Sequence, residues 1–325
     1  MSAPDVGGVL PPRPETIGQS AVGANASLAS APVARRERPL LRVFAQFAES
    51  PVAFVSLVVL AAIVLLAVFA PLLAPQNPYD LAQVTILDAR MEPGATSFDG
   101  LTFWLGTDGA GRDLVSAILY GLRISLAVGV ASGVIALAIG TVIGLFAAYA
   151  GGRVETVIMR IVDLQLSLPA VLVALILIAV LGKGVDKIVL ALVVAQWAYY
   201  ARTVRGSALV ESRKEYVEAA RSLGLSHARI VLRHILPNCL APLIVVGTVQ
   251  TAHAIALEAT LSFLGLGLPP TEPSLGLLIA NGYEYMLSGA YWIAFFPGLA
   301  LLTTVLSINL VGDRLRDVLN PRLAR

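Results

Sequence analysis

Six apolar stretches of this chain run uncharged for long enough to be measured against a bilayer, and no other feature constrains the fold as tightly. They are residues 51–79, 124–152, 164–182, 188–201, 235–257 and 285–312. A spanning helix needs about 20 predominantly apolar residues to cross about 30 Å of hydrocarbon, and five of the six are long enough. The fourth has 14 residues, about 21 Å as a helix. Its flanking Lys187 and Arg202 can reach outward to water and lend it another turn. The rest of the chain cannot cover such stretches as a soluble globule would. Hydrophobic residues make up 57% and charged residues 14%, and the mean hydropathy is +0.80. The expected fold is all-α, a polytopic membrane bundle of six transmembrane helices.

Charge placement supports six spans with both termini on the cytoplasmic side, because Lys and Arg concentrate in cytoplasmic loops. All but five of the 23 Lys and Arg residues then fall inside. The five outside are Arg90, Arg112, Arg123, Lys183 and Lys187. Without the fourth span, the most basic loop, 202–233, would lie outside. Residues 1–38 are rich in Pro, Ala, Gly and Ser and are expected to be a disordered cytoplasmic tail. They do not read as a signal peptide, since the first apolar run begins near residue 51 and is too long. The organisation expected after the tail is a region 39–121 with the first span and an outer loop, a transmembrane domain 122–312, and a cytoplasmic tail 313–325. Within the outer loop, 113–123 reads as a short amphipathic helix approaching the second span. Asp108, Arg112 and Asp113 there read as a turn and a helix cap, or as part of a surface meeting another protein.

The composition also excludes several functions. The 23 basic and 21 acidic residues balance, unlike the clustered basic face of a nucleic-acid binder. Cys239 is the single cysteine, so there is no internal disulfide. No Gly-Lys-[Ser/Thr] follows the glycines at 106–111, so no phosphate loop is expected. No metalloprotease or serine-hydrolase motif occurs, and three scattered histidines make a metal centre improbable. The chain is expected to carry no cofactor and to perform no bond chemistry.

Two patterns within the spans stand out. Gly129, Gly133, Gly140 and Gly144 fall within a ~60° arc of the second span. Such a stripe lets another helix approach closely, either within the bundle or from a partner subunit. On the fifth span, Thr248, Thr251, Glu258 and Ser262 lie within about 80° of one another. They are the candidate translocation path, because ionisable groups in membranes are costly and face a cavity or a partner. Glu258 reads as a lining or gate residue near the outer mouth, or as an interfacial carboxylate that stabilises the outer turn. His253 points about 140° away and reads as a packing histidine.

The loop between the fourth and fifth spans carries the most information. Residues 207–223 place apolar Leu209, Val210, Val217, Ala220 and Leu223 at helical spacing. Gly224 is placed to stop that helix in the left-handed conformation. Ser226 is placed to cap a second helix, 227–235, which Pro237 ends. Glu218-Ala219-Ala220, then Gly224, then Leu236-Pro237 resembles the EAA loop (207–237) of binding-protein-dependent ABC importer permeases. One position departs from that pattern, with His234 where an Ile is usual. RHILPN (233–238), LGTDGAGRD (105–113), YGLRISLAVG (120–129), EYVEAARSLG (215–224) and EATLSFLGLGLPP (258–270) are similar to the dipeptide, oligopeptide and nickel branch. The resemblance runs from about residue 40 to the carboxyl end.

The resemblance implies the type I ABC importer transmembrane fold and a set of partners. These are a second, homologous permease subunit, two cytoplasmic ATPase subunits and an extracytoplasmic solute-binding protein, all at a bacterial cytoplasmic membrane. It further implies that Glu218, Ala219, Ala220, Gly224, Leu236 and Pro237 couple the chain to an ATPase, Glu218 through a charge-assisted contact with a basic residue. Peptides, or nickel chelates and related small solutes, are the implied cargo. An ion-gradient-driven secondary transporter is the alternative class; it predicts charged or broken helices near the midplane. An intramembrane enzyme would need a nucleophile–base pair or a metal dyad, and a membrane scaffold would not need the EAA spacing.

Overall fold

A computed structural model describes residues 46–319, apart from 79, 81–82, 98–99, 270–271 and 273. The tail expected over 1–38 lies outside the described residues. The described chain is mostly helical. Its main elements are α1 (Pro51–Val68), α2 (Leu114–Ala150), α3 (Gly152–Ser167), α4 (Ala170–Leu181), α5 (Val185–Glu211), α6 (Glu215–Ser222), α7 (His227–Phe263), α8 (Leu275–Tyr283) and α9 (Trp292–Leu319). Between α1 and α2 a two-residue hairpin pairs β1 (Ala95–Thr96) with β2 (Thr102–Phe103), Ala95 opposite Phe103.

Among the described residues, α1, α2, α7 and α9 are long and apolar enough to cross a membrane, and α3 with α4 makes a possible fifth crossing. That pair corrects the expectation of one straight span over 164–182. The helices meet at 90°, because Leu168 takes an extended conformation before Pro169. Proline disfavours the helical conformation in the residue before it. Twelve residues remain in α4, about 18 Å. The 14-residue run at 188–201 becomes a 27-residue helix, α5. It is long enough to span but is less apolar than its neighbours, since it carries Gln196, Tyr199, Tyr200 and Arg202.

The short helix expected over 113–123 is instead the first part of α2. Asp113 caps it, its carboxylate accepting from the Ser116 amide at 2.8 Å and the Ser116 hydroxyl at 2.6 Å. That cap is buried, and the Asp113 amide donates to Oε1 of buried Gln76, in the segment following α1, at 2.8 Å. Asp108 is buried as well; it closes its turn by accepting from the Ala110 and Arg112 amides and pairs with the Arg112 side chain at 3.5 Å. At the other terminus α9 runs on to Leu319, so residues 313–319 are helical.

α2 and α5 form the most extensive helix pair, and the glycine stripe makes their contact. A Cβ on Gly140 would lie 2.5 Å from the Trp197 carbonyl, and one on Gly144 would lie 2.5 Å from the Ala201 carbonyl. Gly129 meets Ile255 and Gly133 meets Thr251, both on α7. The four glycines therefore bring the backbones of three helices of this same chain together, as small residues allow. Where the expected run 285–312 begins, a turn (Met286–Ser288) precedes α9. α8 lies against α7 and α9 through Gly276 and Gly282.

Candidate functional site

The loop joining α5 to α7 is built by specific local chemistry. α5 continues the fourth run down to Glu211, so the expected helix 207–223 is split. Its first part belongs to α5, and only α6 is a separate helix. α6 ends in a left-handed glycine cap. Gly224, at φ 69°, donates to Arg221 O at 3.0 Å, and Leu225 donates to Ala220 O at 3.2 Å. These two bonds satisfy carbonyls that the helix end would otherwise leave unpaired. Ser226 stands at the N-cap of the next helix, but its side chain makes no capping bond. That helix does not end at Pro237. It passes through a π-turn (Val231–Ile235) directly into the span, and Pro237 sits at that junction, at the start of the span's regular α-helix.

α6 packs through one face alone. Val217 and Ala220 are buried against Tyr200, Val204 and Ile235. Glu218 and Ala219 face outward, and Leu223 and Leu232 are exposed beside them. Of the apolar residues at helical spacing over 207–223, Val210 and Leu223 are at the surface. The Tyr149 hydroxyl bonds His227 Nδ1, tying the end of α2 to the same loop.

A polar knot fixes the loop to both spans. Glu211 accepts from Lys214 Nζ at 2.6 Å and from the Tyr216 hydroxyl at 2.5 Å. Asn238 then donates to Tyr216 Oη at 3.1 Å and to His234 O at 2.7 Å. Burial opposes charge on Glu211, but the Lys214 and Tyr216 bonds outweigh it and hold its carboxyl below the ordinary range. Burial, and after it the bond to the Glu211 carboxylate, pushes the Tyr216 phenol up to about 12. Arg202 pairs with Asp163, and Arg205 Nε donates to Glu155 at 2.7 Å, so α3 is strapped to the same end of α5.

The structure places the four residues expected to line a path on the packed side of α7. Thr248 faces Gly312 of α9, and Thr251 faces Gly133 of α2. Glu258 is fully buried and accepts from Ser125 Oγ at 2.9 Å and Ser262 Oγ at 2.7 Å. Ser274, at the head of α8, bonds the same carboxylate. None of the four borders either cavity on the other side of α7. There, a cavity of about 830 Å³ is lined at one end by Glu211, Lys214, Asp313 and Arg316, and along its length by Pro242, Val246 and Gln250. A second, of about 270 Å³, is lined by Gln196, Tyr199, Gln250, His253 and Thr260. Tyr199 and Gln250 border both, so the two form one groove between α5 and α7. His253 is exposed in this groove rather than packed. Gln196 and Gln250 were not among the expected site residues; the available signal was an uncharged amide inside an otherwise apolar run.

A bundle of apolar helices carrying a mixed polar groove, with an amphipathic helix held outward between two of its helices, defines a membrane permease. Residues 140–325 match the model of the binding-protein-dependent transport system inner membrane component, and residues 39–93 match the N-terminal TM domain of oligopeptide transport permease C. A chain of Brucella suis, named for a peptide transport system permease, is 44% identical over 83% of this chain and 87% of its own length. The di/tripeptide transport system permease protein DppC of Pseudomonas aeruginosa is 38% identical over 88% of this chain and 93% of that one. The oligopeptide transport system permease protein OppC of Bacillus subtilis is 36% identical over 86% and 88%. The fold is similar to a chain of the MetNI methionine ABC transporter in an inward-facing conformation. That likeness has a TM-score of 0.52 at 22% identity and covers 63% of this chain and 96% of that one. The chain belongs to the family of binding-protein-dependent transport system inner membrane components.

Proposed function

We propose that this chain is one permease subunit of an ATP-driven importer at a bacterial cytoplasmic membrane, with short peptides, or nickel chelates and related small solutes, as cargo. Its partners are a second, homologous permease, two cytoplasmic ATPase subunits and an extracytoplasmic solute-binding protein. Six spans cross the membrane, with both termini on the cytoplasmic side. α5 supplies the fourth, and the α3–α4 pair the third. ATP hydrolysis resides on the partner chains.

The observation that carries this reading is the α6 loop. Glu218 and Ala219 point away from the bundle beside exposed Leu223 and Leu232. The loop is locked at one end by the Glu211–Tyr216 knot and at the other by an unbroken helical path into α7. A rigid element fused to two spans turns a displacement of its docking partner into movement of those spans, biasing the bundle between two states. In this role Ala219 allows close seating, Gly224 makes the turn, and Leu236 and Pro237 start the span. Glu218 supplies the charge-assisted bond.

The test is co-purification of the tagged chain from cells expressing its whole operon, followed by an ATPase assay. We expect a second permease and two ATPase chains to accompany it, and Glu218→Lys to release the ATPases while leaving membrane insertion intact. A chain that purifies without any ATPase in mild detergent would return the secondary-transporter class to the front.

A further inference from the structure

The geometry points to Gln196 and Gln250 as an amide clamp in the α5–α7 groove, which pairs with the peptide groups of a short peptide passing along it. The inference rests on the importer reading above; it adds the residues that touch the cargo and favours peptides among the cargoes named there.

Both side chains are almost fully buried, at 2% and 4% exposure, and both border the 270 Å³ cavity. The Gln196 carbonyl oxygen is buried without a hydrogen-bond partner among the described residues. An orphaned acceptor of this kind costs about 1–3 kcal/mol, and a leucine would fill the position without that cost. The chain thus keeps an amide with an unpaired acceptor at a residue that lines a cavity. Gln250 sits at the junction with the larger cavity, so cargo moving between the two must pass it.

The chemistry of the lining selects the ligand. A primary amide offers N–H donors and a carbonyl acceptor in one plane. It therefore pairs with the N–H and C=O of a peptide group whatever side chains that peptide carries. Val245, Val246 and Val249 give the neighbouring wall an apolar surface. Charged groups stand only at the loop end, and both signs are present in Glu211, Lys214, Asp313 and Arg316. Two acids and two bases balance, so neither terminus of a zwitterionic peptide meets a net charge of its own sign there. A bare divalent transition metal would call for carboxylate, thiolate or several imidazole ligands. Among the described residues, the 270 Å³ cavity offers one histidine and no carboxylate or thiol.

The experiment uses the complete assembly in proteoliposomes with its binding protein, and a radiolabelled mixture of di- to tetrapeptides as the probe. Gln196→Leu/Gln250→Leu is expected to lower uptake at least tenfold, while ATPase co-purification stays as in the unsubstituted assembly. Independently of how that variant folds, His253→Cys is expected to react with a small permeant maleimide, and turnover with the peptide mixture to slow the reaction. Native Cys239 is buried and gives little background. Unchanged uptake by the double variant, or peptide that transports without slowing the labelling, overturns the clamp. An unsubstituted assembly that holds its ATPases but takes up no peptide overturns the cargo class and leaves the importer reading standing. If no ATPase accompanies the chain, both readings fall.

Discussion

Ser125 Oγ on α2 donates to Glu258 Oε2 on α7 at 2.9 Å, joining residues 133 positions apart. With Ser262 and Ser274 bonding it as well, the carboxyl group ties α2, α7 and the head of α8 together. A buried donor left without its partner costs about 1–3 kcal/mol. Glu258→Leu, which strands the hydroxyls of Ser125, Ser262 and Ser274, is expected to lower the thermal aggregation temperature of the detergent-purified chain by several degrees. Glu258→Gln keeps an acceptor and is expected to lower it less. A Leu variant as stable as the parent would show that the clasp contributes nothing.

The glycines of the bundle divide by what surrounds them, and the division can be measured. A side chain on Gly140 meets the Trp197 carbonyl and the Tyr200 Cβ, whereas one on Gly247 meets nothing within 4 Å. Gly140→Val must push α2 off α5, an overpacking cost of about 1–3 kcal/mol. Gly247→Ala gains helix propensity of roughly 0.5–1 kcal/mol. Expression and melting of the two variants should therefore shift in opposite directions. If Gly140→Val melts like the parent, the close approach of α2 to α5 is wrong.

What the sequence revealed and concealed follows from what hydropathy measures. The runs that became α1, α2, α7 and α9 were legible because length and apolarity are all that a crossing helix requires. The extent of α5 was not, because Arg202 and Arg205 end the apolar run while the helix continues. Asp163 and Glu155 of α3 receive those arginines, a pairing that local sequence does not encode. The right-angle bend at Leu168–Pro169 is silent to hydropathy, although the proline itself was a signal. On α7, angular arithmetic grouped Thr248, Thr251, Glu258 and Ser262 correctly on one side. It could not say which side faces the bundle, since that depends on Gly133, Gly312 and Ser125 from other helices. The cap at Gly224 was legible in full, because it depends only on a few neighbouring residues.

The knot at the base of α6 predicts a pH window for the loop. Glu211 is held below the ordinary carboxylate range, so its contribution is present above the unfolded pKa and is lost as pH falls through the lower folded value. Tyr216 is raised to about 12, so its contribution is complete below the ordinary phenol value of about 10 and disappears as pH rises toward 12. Amide exchange of 215–222, corrected for intrinsic rates, should therefore be slowest on a broad plateau between these limits. Tyr216→Phe should speed that exchange on the plateau itself, by roughly fivefold for a net bond of about 1 kcal/mol. Exchange insensitive to Tyr216→Phe would remove the knot from the account.

Gly224 and Glu218 sit six residues apart on the same outward surface and should fail in different ways. Nothing lies within 4 Å of a Cβ placed on Gly224, yet its φ is +69°, so the glycine answers a backbone need and not a lack of room. A β-branched residue there pays about 1–2 kcal/mol for the left-handed conformation, which is enough to fray the cap bonds to Ala220 and Arg221. Gly224→Val should therefore speed amide exchange in α6 and weaken ATPase retention together. Glu218→Lys, on an exposed face and without an ion pair among the described residues, should leave exchange in α6 unchanged while abolishing retention. The comparison separates the shape of the docking element from its contact. If both variants retain the ATPases at parental levels, α6 is not the element that couples the two.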